Sequence, residues 1–365
     1  MRVETALRQG LELLRDGAIG APALTAELLL AHALHRDRTY LLTHPEHELS
    51  ELEWLHYGRY LHERLKGQPT QYITRTQEFW GRDFHVEKGV LIPRPETEHV
   101  VETALALLLK SDSLAMPAPS QRLQIPSAPL PAATRPTAEG SPETLQQAQW
   151  GAGTRVCGAG TPACRVDTRV DVRRDLDTRA DAGVRGSGTP ACRVDTRADG
   201  WRVLDIGAGS GILAVTLALE TTARVCATDL SERALRIACA NALRLKAPVE
   251  FVMCDLGSAL AAAAFDLIVS NPPYIATAEI DALQREVREW EPRAALDGGP
   301  DGLAVYRRLI PDAARLLRPG GWLILEIGAT QAESVSGLLG PGWRECSVTP
   351  DLAGLPRVVK AQWSP

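Results

Sequence analysis

Apolar positions along the chain fall into two regimes, separated by a stretch that has few of them. From residue 4 to about 66 they recur with a helical period. Ala6, Leu7, Leu11 and Leu14 form one stripe; Leu24, Leu28, Leu29, Ala31 and Leu34 form a second. Ser50 and Glu53 have the spacing of a capping box and open a helix through Leu55, Tyr60 and Leu65. Gly67-Gln68-Pro69 ends this helical unit. Tyr72-Ile73-Thr74 and the run 78–86 then read as short strands around a glycine-containing turn. The stretch Leu91-Ile92-Pro93-Arg94-Pro95-Glu96-Thr97-Glu98 leads into an apolar helix over 100–109. Its prolines stiffen the approach, and its two acids suit a helix N-terminus. The same residues are as compatible with a part in a site as with a purely structural one.

From residue 201 the period changes. Short apolar runs at 202–206, 224–228, 250–254, 265–269 and 322–327 alternate with helical stretches near 212–219, 231–245 and 305–317. Runs at 344–349 and 357–363 would add an antiparallel pair. Repeated βα units of this kind imply a doubly wound, mostly parallel sheet.

The intervening segment, 111–199, differs in kind. Only 14 of its 89 residues are Val, Ile, Leu, Met, Phe, Trp or Tyr, too few to offset the entropy of ordering that much backbone. The sequence from Gly160 to Arg169 recurs unchanged from Gly188 to Arg197, a period of 28. Two copies are too few for a stable solenoid. The expected organisation is a helical unit over 1–70, a hairpin linker and connecting helix over 71–110, a low-complexity disordered insertion over 111–199, and an α/β domain over 200–365.

Composition narrows the function. A net charge of −5 gives no global attraction to nucleic acid. No run of 18 apolar residues occurs, and the N-terminus lacks a signal peptide's apolar segment, so a cytoplasmic protein is expected. Seven cysteines without close pairing fit reduced thiols. All eight histidines lie between His32 and His99. The pairs His32/His35 and His44/His47 have a spacing a metal would accept, but they lack clustered Cys or Asp partners. The C-terminal domain, free of histidine, cannot supply a histidine-based triad or a His-ligated metal from within.

Two loops of that domain carry candidate chemistry. In Asp205-Ile206-Gly207-Ala208-Gly209-Ser210-Gly211 a strand meets three alternate glycines and then a helix, so backbone can approach a ligand closely. Asp229 ends the next strand, where an acid can accept both hydroxyl hydrogens of a ribose; Asp255, followed by Leu256, closes the third and would flank an adenine. No GxxxxGK[ST] phosphate loop occurs, which argues against ATP. Ser270-Asn271-Pro272-Pro273-Tyr274 follows the fourth strand. Prolines keep their carbonyls but lack N–H, so this loop is rich in acceptors and suits a planar NH2 group.

Glycine loop, ribose acid and Asn-Pro-Pro-Tyr resemble the class I S-adenosylmethionine-dependent methyltransferases, in particular members that methylate planar amines. Three further segments resemble the PrmC/HemK family, the release factor glutamine methyltransferases: Gly67 to Thr74, Glu78-Phe79-Trp80 and Leu91 to Glu98. Asp351-Leu352-Ala353-Gly354-Leu355-Pro356-Arg357-Val358-Val359 matches that family's closing pattern. The resemblance covers about 5–110 and 201–364. It implies a Rossmann-like seven-stranded methyltransferase sheet behind a small helical domain and a hairpin linker. By it, Asp205, Gly207, Ala208, Gly209, Ser210, Gly211, Asp229, Asp255, Leu256 and Asn271 would bind S-adenosyl-L-methionine. Asn271, Pro272, Pro273 and Tyr274 would hold the glutamine of a release factor's Gly-Gly-Gln loop, with Tyr274 stacking on the amide. Leu256 departs from the aromatic residue frequent at that place, and the 111–199 segment is not a usual part of the family. A nucleic-acid amino-group methyltransferase using the same loop is the alternative, and a non-catalytic adaptor is the reading from a different class.

Overall fold

The computed structural model describes residues 1–115, 166–167 and 200–365. The N-terminal unit contains α1 (Val3–Asp16), α2 (Pro22–Leu34), α3 (Arg38–Thr43) and α4 (Glu51–Leu65). Leu14, Leu29, Leu30, Leu41 and Tyr57 are buried where these helices meet. The capping box at α4 forms as its spacing predicts: Glu53 N–H donates to Ser50 Oγ at 3.3 Å, and Ser50 N–H donates to Glu53 Oε2 at 2.8 Å.

The reading of Tyr72-Ile73-Thr74 as a strand is incorrect. Thr70–Thr74 is a short helix, α5, started by Pro69 and stopped by Arg75 in the left-handed region. Burial decides the matter: Ile73 joins the helical core, while Tyr72 turns to the other side and donates its hydroxyl to the Val90 carbonyl at 2.5 Å. Three short apolar-polar positions cannot separate a strand from one helical turn. The hairpin begins just afterwards, with β1 (Thr76–Phe79) and β2 (Arg82–His85) joined through Trp80 and Gly81, both at positive φ. A 3-10 turn over Pro95–Thr97 then leads into α6 (Glu98–Ala115).

The C-terminal domain is a twisted sheet covered on both faces, with strand order β3-β6-β5-β4-β7-β8-β10-β9. Its strands are β3 (Val166–Asp167), β4 (Arg202–Ile206), β5 (Arg224–Asp229), β6 (Val249–Met253), β7 (Phe265–Ser270), β8 (Leu317–Glu326), β9 (Trp343–Pro350) and β10 (Pro356–Trp363). The pairs from β3 through β8 are parallel; β10 runs antiparallel to both β8 and β9. This is the expected methyltransferase-type sheet of seven strands. The two-residue β3 is added at the open edge of β6, within the segment expected to be disordered. The remainder of that insertion lies outside the described residues.

Helices α7 (Ile212–Glu220) and α8 (Glu232–Leu245) pack on one face together with α6, whose Val100, Val101, Ala104 and Leu108 are buried there. Two short helices, α9 (Arg285–Trp290) and α11 (Ala332–Gly337), flank α10 (Ala304–Leu316) in the chain; α10 covers the opposite face through Tyr306, Leu309, Ile310 and Ala313. Among the described residues no helix is long and apolar enough to cross a membrane.

Side chains tie the N-terminal parts to this sheet. Buried Asn241 on α8 accepts from His85 N–H at 2.7 Å and donates to the carbonyls of His85 and Ser210 at 3.0 and 2.9 Å. One amide thus fastens the hairpin to the glycine loop. Arg82 pairs with Glu220 at 2.5 Å, and buried Arg64 on α4 bonds Glu286 on α9.

Candidate functional site

The order of the sheet places the two chemical loops side by side. β4 and β7 are parallel neighbours, so the glycine loop after one and the Asn-Pro-Pro-Tyr loop after the other leave the same edge, where the strand order reverses. Ser270 Oγ donates to the Ile206 carbonyl at 2.6 Å and pins the two strand tips together. Between the loops lies a cavity of about 350 Å³, within the range of small-molecule sites.

Gly207 and Gly209 line the cavity, both have positive φ, and nothing lies within 4 Å of a side-chain carbon at either; their N–H groups bond the Thr228 carbonyl and Asp229 Oδ2. Gly211 is constrained from behind as well. At φ +85° it caps α7, and a Cβ there would come within 3.0 Å of Ala238 Cβ. Asp229 Oδ2 accepts from Gly209 N–H at 2.9 Å and Oδ1 from Ser231 N–H at 2.8 Å. Burial raises its pKa, and these backbone bonds act against that rise. Each oxygen keeps a lone pair for a hydroxyl. Asp205 is wholly buried, with Oδ2 bonded to Ala214 N–H at 3.1 Å and Oδ1 without a hydrogen-bond partner. Burial, reinforced by the charge on Asp229, pushes its carboxyl up to about 7. Asp205 lines the cavity at the tip of β4, with its free oxygen buried inside the wall.

Glycine backbone that a ligand can approach closely, lone pairs on Asp229 for hydroxyls and the acid Asp205 beside them together fit the groups that S-adenosyl-L-methionine presents. Ala208, Ser210, Asp255, Leu256, Ser270, Asn271, Pro272 and Pro273 also line the cavity. Asp255 is turned outward at its carboxylate, where Arg308 holds Oδ2 at 2.5 Å. Leu256 sits at φ +51°. Tyr274 stands behind the wall, packed into the core beside α10, and its hydroxyl donates to Glu326 Oε1 at 3.3 Å.

Several parts of the site escaped sequence reasoning. The linker supplies one wall: Gly89, Val90, Leu91, Pro93, Arg94 and Thr97 line the cavity with the glycine loop. Glu291 holds that wall, accepting from Ile92 N–H at 3.3 Å and Arg94 at 2.5 Å while only 1% exposed at its side chain. Asn271 donates from Nδ2 to the buried Thr97 hydroxyl at 3.1 Å, leaving Oδ1 to accept from a ligand. The only signal for this wall was the density of prolines and charges over 91–98. The loop 297–302 braces the Asn-Pro-Pro-Tyr segment from outside. Gly298 N–H bonds the Ile275 carbonyl at 2.8 Å, and Gln331 donates to the Tyr274 carbonyl at 2.9 Å. Gly302, at φ +73°, passes so close to the Tyr274 carbonyl that a Cβ would lie 2.4 Å from it.

Residues 5–74 match the profile described as the PrmC N-terminal domain, and residues 191–289 match the methyltransferase small domain. A release factor glutamine methyltransferase from Koribacter versatilis is 37% identical over 361 residues, covering 98% of both chains. One from Geobacter sulfurreducens is 36% identical over 92% of this chain and 88% of that one. Among solved structures, a methyltransferase from Pyrococcus furiosus is similar at 19% identity and a TM-score of 0.35, over 45% of this chain and 75% of its own.

Two outcomes follow from the geometry. A carboxyl raised on folding contributes stability below its unfolded pKa that is lost as pH rises through the folded value. Asp205→Asn should therefore raise urea-unfolding stability at pH 8 by on the order of 2–4 kcal/mol, and by much less at pH 4. An equal change at both pH values would contradict the burial argument. Glu291→Ala should cost about 1–3 kcal/mol, less than a fully buried pair because Arg94 is partly exposed. Retention of the Ile92 bond should make Glu291→Gln the milder change in the same assay.

Proposed function

The chain belongs to the release factor glutamine methyltransferase family, and from that premise we propose that it methylates the side-chain amide of the glutamine in the Gly-Gly-Gln loop of peptide chain release factors. We place the reaction in the cytoplasm. The methyl donor is S-adenosyl-L-methionine, held through the backbone of Gly207 to Gly211 and the carboxylates of Asp205 and Asp229. When bound, it supplies an activated methyl group on a sulfonium.

The chain's own task is to make a poor nucleophile attack. An amide nitrogen shares its lone pair with the carbonyl, so it reacts only if held out of that conjugation. Asn271 Oδ1 and the Pro272 carbonyl are the acceptors proposed to take the two N–H hydrogens and turn the nitrogen toward the methyl carbon. Orientation and fixed dipoles supply the rate, and no histidine is required. The single observation that carries this reading is the bond from Asn271 Nδ2 to Thr97, which commits the amide nitrogen to the protein and its oxygen to the substrate. The linker's share in the cavity wall supports a protein substrate, because chain from outside the sheet domain borders the site.

Asn271→Ala is expected to lower turnover roughly 10²–10³-fold, measured as labelled methyl transfer to purified release factor. Near-normal turnover would reduce the loop to a turn. Asp229→Ala should chiefly raise the donor's dissociation constant in calorimetry while circular dichroism stays unchanged. Label appearing on rRNA or DNA instead of the release factor would sink the proposed substrate.

A further inference from the structure

Pro272 and Pro273 have no N–H with which to tether themselves, so the Asn-Pro-Pro-Tyr loop is fixed from its two ends. The near end is the strand tip, where Ser270 bonds the Ile206 carbonyl and Asn271 bonds Thr97. The far end is gathered onto one side chain, Gln331, in the segment between β8 and α11. Its Nε2 donates to the Tyr274 carbonyl at 2.9 Å and to the Gly302 carbonyl at 3.3 Å, and its Oε1 accepts from Gly328 N–H at 3.0 Å. Two carbonyls on one side and an N–H on the other leave a single orientation for that amide. Three loops meet there: the site loop, the 297–302 loop and the turn after β8. They meet closely, since a Cβ at Gly302 would lie 2.6 Å from Gln331 Nε2 and one at Gly328 would lie 3.0 Å from its Oε1. The other edge of the same peptide is held as well, by Ile275 N–H donating to the Leu296 carbonyl at 3.0 Å. Gln331 itself stands outside the cavity wall.

We propose that Gln331 is a positioning residue for the methyl acceptor: by holding the Tyr274 carbonyl it fixes the direction of the Pro272 carbonyl, which takes one N–H of the substrate amide. The inference rests on the functional reading above. Planar peptides and two rings that lock φ leave few free torsions between Asn271 and Tyr274. With both ends anchored, the carbonyls between them keep one direction. Without Gln331 the Tyr274 carbonyl loses its donor, and its peptide swings to recover one. A flexible loop would absorb that swing, but a proline-stiffened one carries the Pro272 carbonyl with it. The prolines thus make the acceptor precise and also make it depend on a residue 57 positions away in the chain. A displacement of about 1 Å at the reacting group is enough to cost on the order of a hundredfold in rate. The donor side is spared. Gly207 to Gly211 and Asp229 leave the tips of β4 and β5 and, among the described residues, share no hydrogen bond with Gln331.

The test uses the full chain, S-adenosyl-L-methionine and purified release factor, with kcat followed from pH 5.5 to 9 and donor affinity measured by calorimetry. Gln331→Met, which keeps length and loses both hydrogen-bonding groups, is expected to lower kcat roughly 10–100-fold with donor affinity within about two-fold. Gln331→Glu keeps the shape and the bond from Gly328 N–H, but as a carboxylate it has no hydrogen for the Tyr274 carbonyl. Its kcat should match that of Gln331→Met at pH 9 and climb toward wild type as falling pH protonates the carboxyl and restores a donor. A side chain that only filled space would show no such rescue. Wild-type kcat in Gln331→Met, or donor affinity falling as far as kcat, overturns the inference. A ratio of Gln331→Glu to wild-type kcat that stays flat from pH 9 to 5.5 overturns it too. A wild-type enzyme that transfers no methyl group to the release factor overturns the functional reading, and the inference with it. An active wild type beside unaffected variants overturns the inference alone.

Discussion

The hydrogen bond from Ser270 to the Ile206 carbonyl sits at the point on which the site depends. It joins the tips of two strands, β4 and β7, that are 64 residues apart in the chain yet adjacent in the sheet. Every other relation in the site is measured from that junction. The glycine loop leaves one tip as backbone that a ligand can approach closely, and the Asn-Pro-Pro-Tyr loop leaves the other with the proline carbonyls and Asn271. Their separation is set by the roughly 4.8 Å spacing of sheet neighbours and not by any flexible element. Reaction geometry is thereby inherited from the rigid part of the fold.

Around this junction the chain spends buried polar groups freely. Asp205, Asn241, Glu291 and Glu326 are each nearly or wholly inaccessible. Asn241 is satisfied by the hairpin and the glycine loop, Glu291 by the linker. Asp205 and Glu326 each keep one buried oxygen without a hydrogen-bond partner, and Asp205 is among the residues lining the cavity. Burying a carboxylate without full pairing costs stability.

Much of the fold was legible because period and length agree. Five strand runs, their helices and the final antiparallel pair emerge within a residue or two of their predicted bounds, except that β8 begins five residues early at Leu317. Tyr72 to Thr74 misled because three residues carry no period. The glycine loop could be read directly, since the positive φ at Gly207, Gly209 and Gly211 calls for glycine there, and Asn271 stood out through the acceptor-rich motif that contains it. Thr97 and Glu291 could not. A threonine in a turn and a glutamate at a helix end look ordinary until folding brings them to the cavity wall. Their roles arise from pairing across some 170–200 positions of sequence: Asn271 with Thr97, Glu291 with Ile92 and Arg94.

The shared wall of the cavity has a thermodynamic consequence. Pro93, Arg94 and Thr97 contact the same space as Gly207 and Asp229, so a molecule filling it touches both the linker and the sheet domain. Its binding free energy then belongs to the assembled pair and not to either part. At a hundredfold excess over its dissociation constant such a molecule stabilises the assembly by about 2.7 kcal/mol, comparable to burying one large apolar side chain. The occupant acts as a removable cross-link between chain segments that the sequence keeps far apart.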